Sequence, residues 1–210
     1  MSQSIDILSV VVPVLIVLFS LTVHEAAHAW TAERLGDPTA RMLGRVSLNP
    51  IVHIDPIGTV LLPLLAAVSN LPIIGWAKPV PVNISRLRRG RQDFMLVAAA
   101  GPASNIVLAV LASVVLAVMG RPETGDLPLA FAILMRFAII NVFLAVFNLI
   151  PVPPLDGGNV LAGLLPARGA AIFDNLRPYG FLILYALMFT GVLADLVNPP
   201  AEFILGLLLP

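Results

Sequence analysis

The tightest constraint on this chain is a set of apolar runs matched to the thickness of a lipid bilayer. A helix crosses a hydrocarbon core of about 30 Å with about 20 mostly apolar residues. Residues 7–32, 94–119, 127–150 and 179–197 meet that requirement. A fifth run, 57–77, is interrupted by Pro63 and Pro72, and an apolar tail over 203–209 is too brief to span. Only 11% of the residues are charged and 59% are hydrophobic, where a soluble domain carries about 25% charged residues. Lipid is therefore the expected main solvent. No charged or Ser/Gly-rich linker divides the sequence and no repeat is present, so residues 1–210 read as a single membrane-embedded domain.

The N-terminal run resembles a secretory signal in having Ala27-His28-Ala29 after an apolar stretch. However, no Lys or Arg precedes that stretch, and apolar character resumes at once. A retained first transmembrane helix is the expectation. Charge placement orients the rest. Arg34, Arg41 and Arg45 follow the first run, while Lys78, Arg86, Arg88, Arg89 and Arg91 precede the second. The positive-inside rule puts both groups in the cytoplasm. The run 57–77 must then enter and leave on one side, as a re-entrant hairpin permitted by its prolines; a fifth full span is the alternative. On the re-entrant topology, ten of the twelve Lys and Arg lie in cytoplasmic segments, Arg121 and Arg136 being the exceptions.

Between these runs, 40–54 (ARMLGRVSLNPIVHI) carries β-branched residues, a glycine and an Asn-Pro, which predict extended chain with a turn, a short β-hairpin at the membrane surface. Asp55-Pro56 reads as a helix N-cap followed by proline at the first helical position. The predicted fold is thus an all-α polytopic membrane protein: four transmembrane helices, a Pro-interrupted re-entrant or fifth spanning segment, and a short surface β-hairpin. Zero net charge gives no basic field for nucleic acid.

The first apolar run contains His24-Glu25-Ala26-Ala27-His28. Residues four apart on an α-helix share a face, so both imidazoles can reach one ion. Glu25, offset by one position, is placed to act as a base toward water without displacing a ligand. This is the H-E-x-x-H zinc-hydrolase pattern. The bare pattern also arises by chance as a polar patch at a helix end; its depth argues otherwise. His24 lies 17 residues beyond Ile7, about 25 Å along a helix at 1.5 Å per residue, and a carboxylate within hydrocarbon marks a functional site by default. The chain has no cysteine, which leaves His and carboxylate as metal ligands. A catalytic zinc takes three protein ligands, so the third is either His53 or an acid. Asp156 is preferred, because Pro151, Pro153 and Pro154 end the preceding run near the level of His24 and His28, and Gly157-Gly158 allow close backbone approach.

The H-E-x-x-H, the Gly101-Pro102-Ala103-Ser104-Asn105 in the next spanning run, and the Asn148-x-x-Pro-x-Pro-x-x-Asp156-Gly157 together resemble the site-2 protease family of intramembrane zinc metalloproteases. HIDPIGT (53–59) and GWAKPVPVN (75–83) resemble its small prokaryotic branch, and no PDZ-length insert interrupts the chain. The resemblance implies one Zn2+ per chain held by His24, His28 and Asp156, with Glu25 as general base and then acid. It implies transmembrane segments of membrane proteins as substrates and a prokaryotic plasma-membrane location, with the site toward the cytoplasm. It also places Asn105 and Asn148 near substrate. Each has a bland reading beside it: Asn105 satisfies backbone groups freed by Gly-Pro, and Asn148 braces helices. His53 lines the cleft or, as we favour, caps the Asp55-Pro56 turn. Arg136 snorkels outward, and Trp30 and Trp76 read as interfacial aromatics. A catalytically silent membrane protein is disfavoured by Glu25. A metal transporter is disfavoured because the ionisable residues cluster at one depth rather than along a path. The topology predicts that the 84–92 loop is cleaved by protease added to the cytoplasmic face of oriented vesicles. Cleavage from the opposite face alone would overturn it.

Overall fold

The computed structural model of the protein describes residues 7–61, 77–120 and 127–209. Its architecture is helical. Helix α1 spans Ile7–Arg34 and α2 is a single turn, Thr39–Met42. Helices α3 (Arg91–Met119) and α4 (Leu129–Asn148) form an antiparallel pair, and α3 packs on α1 as well. Then come α5 (Asp156–Leu164), α6 (Ala167–Leu176), α7 (Gly180–Phe189) and α8 (Val192–Leu208). Three of these are long and apolar enough to cross a membrane, over Val11–Arg34, Arg91–Met119 and Leu129–Asn148.

The surface of these helices is what lipid requires. Val107, Leu111, Val114 and Val118 stand exposed on α3, and Val14, Leu15 and Phe19 on α1. In water such stripes would be an aggregation liability; against acyl chains they cost nothing. The polar residues go inward instead. Ser20, Thr22, His24, His28, Asn105, Ser113 and Asn141 are all buried. Lipid gives helices no hydrophobic reason to associate, so close packing and interhelical hydrogen bonds do that work. Ala29, Ala32, Ala109, Ala112, Ala138 and Ala145 are buried where the helices meet, small enough to let backbones approach.

Two expectations are corrected. The 40–54 segment is not a hairpin, and no strand occurs among the described residues. Thr39–Met42 is a helical turn and Pro50–His53 a 3-10 turn whose cap is Asn49, its side chain accepting from Ile51 N at 3.1 Å. Local Asn-Pro capping prevailed over β-propensity there. The run 179–197 is not one helix either. It breaks at Gly191, where φ is +81°, and α8 leaves at 79° to the preceding segment while absorbing Pro199, Pro200 and the supposed short tail. That bent pair makes a fourth crossing if it counts as one span. The Asp55-Pro56 cap is present: Asp55 Oδ1 accepts from Ile57 N at 2.9 Å and Gly58 N at 2.8 Å, opening a π-helical turn over Pro56–Leu61. The remainder of the 57–77 run, with Trp76, lies outside the described residues.

The polar end of α1 is locked to the chain before α3. Asp37 is fully buried and accepts from Thr39 N at 3.1 Å, Thr39 Oγ1 at 2.5 Å and Asn83 N at 2.6 Å. Leu35 O accepts from Arg88 N at 3.2 Å alongside it. Burial pushes the Asp37 carboxyl up, but the hydrogen bonds from Thr39 and Asn83 and the nearby Arg86 charge outweigh it and hold the pKa below the usual aspartate value. A depressed folded-state pKa contributes stability above the unfolded-state value, and that contribution is lost as pH falls through the folded value. Asp37→Ala should cost about 3 kcal/mol near neutral pH, and progressively less in acid below the usual aspartate range. Thermal melts of the solubilised protein across pH check both.

Candidate metal centre

The H-E-x-x-H turn sits in the C-terminal half of α1, and its two imidazoles lie against Gly101 of α3. Their Nε2 atoms lie 3.0 Å apart, with ring centroids at 4.6 Å and planes nearly perpendicular. Asp156, the first residue of α5, brings Oδ2 to 3.1 Å from His24 Nε2 and 3.3 Å from His28 Nε2. The three ligand atoms all lie within 4.8 Å of one another, and among the described residues no other such group of His, Cys, Asp and Glu occurs. The Pro-rich turn places the acid where the sequence reading anticipated.

Each imidazole is held from behind. His28 Nδ1 donates to the Val97 carbonyl at 2.7 Å, and His24 Nδ1 donates to Asn105 Oδ1 at 2.6 Å. A backbone carbonyl only accepts, so His28 must carry its proton on Nδ1, leaving a lone pair on Nε2. The same holds for His24. In the neutral tautomers two imine nitrogens and a carboxylate oxygen thus face one another. A proton on one imidazole or a metal cation between them relieves their repulsion, and the N2O set is one that zinc accepts at catalytic sites. The donor set fits a zinc ion.

The neighbouring backbone is shaped to the same end. A Cβ on Gly101 of α3 would stand 2.5 Å from His24 Nε2 and closer still to His28 Nε2, so the imidazoles occupy the space a side chain would take. A Cβ on Gly157 would strike the Leu149 carbonyl, so the turn that delivers Asp156 needs glycine there.

The remaining candidates separate. Glu25 is half-buried, and its Oε2 accepts from Val80 N at 3.0 Å, which ties it to the extended segment after residue 77. Asn105 is fully buried behind His24, its Nδ2 donating to Asn141 Oδ1 at 2.9 Å and reaching Ser20 O at 3.4 Å. Asn148 donates from Nδ2 to Leu144 O of its own helix at 2.9 Å. His53 is outside the cluster. It is buried in the 47–53 loop with Nε2 donating to Ser47 O at 2.9 Å, and its own carbonyl accepts from Lys78 N at 2.8 Å. It therefore braces that loop, not the Asp55 cap. Trp30 is half exposed with the Arg34 guanidinium 4.9 Å above its ring, as an interfacial residue would be. Sequence reasoning missed the Val97 carbonyl, the Gly101 cradle and the part of Asn141. Only Asn141 left a signal, a polar residue in the middle of an apolar run.

A helical membrane chain with two histidines and an aspartate converging between its helices belongs to the class of membrane-embedded metallohydrolases. Comparison with known proteins makes this specific: residues 126–191 match peptidase family M50. The chain is 37% identical over 202 residues to "Putative zinc metalloprotease YwhC" of Bacillus subtilis, covering 92% of this chain and 89% of the relative. It is 32% identical over 177 residues to "Putative zinc metalloprotease Rip2" of Mycolicibacterium smegmatis, covering 84% of this chain and 66% of that protein. The chain belongs to peptidase family M50, the site-2 protease family. No solved structure matches it.

Gly101→Ala tests the cradle. It should leave helical content intact by circular dichroism, cost about 1–3 kcal/mol for overpacking, and abolish stoichiometric zinc binding by metal analysis. Full zinc content in this variant would show that the imidazoles do not need the space.

Proposed function

We propose that this protein hydrolyses peptide bonds within or near transmembrane segments of membrane-protein substrates. Its site faces the cytoplasmic side of a prokaryotic plasma membrane. The observation that carries the reading is the convergence of His24 Nε2, His28 Nε2 and Asp156 Oδ2 between apolar helices, one residue away from an acid. In this reading His24, His28 and Asp156 hold zinc. Bound there, the ion supplies Lewis acidity, lowering the pKa of water and polarising the scissile carbonyl.

The chain's own residues do the rest. Glu25 takes the proton from the attacking water and delivers it to the leaving amine. Its bond to Val80 N couples the side chain to the 77–83 segment. That segment is pinned on both sides. Arg45 donates to the Lys78 carbonyl, Lys78 N donates to His53 O, and Asn83 N donates to Asp37. Pro79 and Pro81 keep it extended. An apolar groove lined by Val23, Ala26, Ala27, Trp30, Val46 and Leu48 flanks the H-E-x-x-H turn and offers a surface to an unwound, lipid-derived peptide.

The membrane arrangement completes the proposal. With the 166–177 segment on the cytoplasmic side and the last crossing made by the chain after it, ten of the twelve Lys and Arg are cytoplasmic, Arg121 and Arg136 being the exceptions. Asn148, three residues before Pro151 and with its Nδ2 engaged by Leu144 O, is assigned a substrate contact through its side-chain Oδ1.

Cleavage of a model transmembrane substrate decides the chemistry when paired with metal analysis. Glu25→Gln should retain zinc and lose at least 100-fold in rate. Equal cleavage by the variant would remove Glu25 from the mechanism. Asp156→Ala should lose stoichiometric zinc while His53→Ala keeps it; the reverse result would reassign the third ligand.

A further inference from the structure

Asn141 is fully buried in the middle of α4, a helix otherwise apolar on every side except for Arg136 and Asn148. It touches neither the candidate ligands nor Glu25 in any hydrogen bond of its own. Its partners nonetheless form a chain whose direction is fixed. Asn141 Nδ2 donates to the Phe137 carbonyl at 2.9 Å. A carbonyl cannot donate, so the amide end facing Phe137 is nitrogen and the other end is oxygen. That oxygen accepts from Asn105 Nδ2 at 2.9 Å, which turns Asn105 Oδ1 toward His24. Asn105 Oδ1 in turn requires a proton on His24 Nδ1, 2.6 Å away, and leaves the lone pair on Nε2. The polarity of one backbone carbonyl on α4 is thereby passed through α3 to the ligand atom on α1.

We propose that Asn141 is a positioning residue that sets the metal-binding tautomer of His24 through Asn105. This rests on the reading of His24 as a zinc ligand. The Asn105 amide has a second restraint, Ser20 O, but at 3.4 Å that bond is long. Without Asn141, the Asn105 side chain is held mainly by the imidazole it is meant to orient, and an amide flipped to present Nδ2 to His24 selects the opposite tautomer. His28 is insulated from this, since the Val97 carbonyl fixes its proton directly. A carbonyl cannot flip; an asparagine can, and that is why one ligand needs a relay and the other does not.

The chain holds three histidines, so 15N-histidine labelling of the full-length apoprotein in detergent micelles reports each tautomer. Zinc titration of the same samples reports affinity. Wild type should show His24 protonated on Nδ1. Asn141→Leu, similar in size but unable to accept, should give a mixed or reversed His24 tautomer with His28 unchanged, and a ten- to hundredfold weaker zinc affinity. Asn141→Gln keeps both ends of the amide and should stay within about threefold of wild type. An unchanged His24 tautomer in Asn141→Leu, or an Asn141→Gln variant as impaired as Asn141→Leu, would overturn the proposal. If Asn141→Leu yields no folded protein, Asn141→Gln decides alone: a retained tautomer supports the relay and a lost one sinks it. A wild-type chain that shows the tautomer but binds no zinc would instead refute the metal site and leave the relay standing.

Discussion

The structure depends on bringing three polar atoms, His24 Nε2, His28 Nε2 and Asp156 Oδ2, close together between apolar helices. Apolar surroundings raise the cost of that arrangement in the absence of a cation and raise the gain when one is present. Each neighbouring element answers to it. Helix α1 supplies two imidazoles four residues apart, α3 gives up a side chain at Gly101 to make room, and a Pro-rich turn ends α4 so that Asp156 arrives at the same level. The hydrogen bonds behind the rings, to Val97 O and Asn105, then keep the nitrogens facing inward as acceptors.

Lipid makes this division of labour possible. The outward stripes of α1 and α3 are apolar, so polar side chains are reserved for the contacts between helices. Ser20, Asn105 and Asn141 gather at the meeting of α1, α3 and α4, joined by hydrogen bonds beside an apolar cluster that includes Ala109, Val142 and Val146. At the polar end the logic changes. Asp37, Arg45 and Glu25 each hold backbone groups of the 77–88 region, a segment that has no regular structure to satisfy its own N–H and C=O groups before Ile84. Glu25 is therefore both the acid beside the ligands and a staple for the chain that passes over them.

The chemistry was legible in the sequence because it is local. A four-residue spacing on a helix dictates a shared face, and proline followed by Asp-Gly-Gly dictates a turn that ends in an acid, whatever surrounds them. The apolar runs 94–119 and 127–150 likewise fall within three residues of α3 and α4 at either end, since bilayer thickness sets helix length directly. The failures also have a local cause. Over 40–54, β-branched residues suggested strands, but Asn49-Pro50 closes a helical turn by its own side chain and no partner strand occurs among the described residues. Over 179–197, hydropathy is blind to a backbone break, and Gly191 turns the chain without interrupting the apolar character.

By itself, then, the sequence determined the class of solvent and singled out His24, Glu25 and His28 as one helical group, because helical periodicity and hydrocarbon thickness act on neighbours in the chain. Only the tertiary structure decided which atoms stand behind those ligands. Asn105 and Asn141 are 36 residues apart, and Asn105 meets His24 across 81 residues. Their hydrogen bonds exist because three helices cross at one depth, and no spacing along the chain encodes that crossing. The same holds for Gly101, whose missing side chain has meaning only against two imidazoles on another helix.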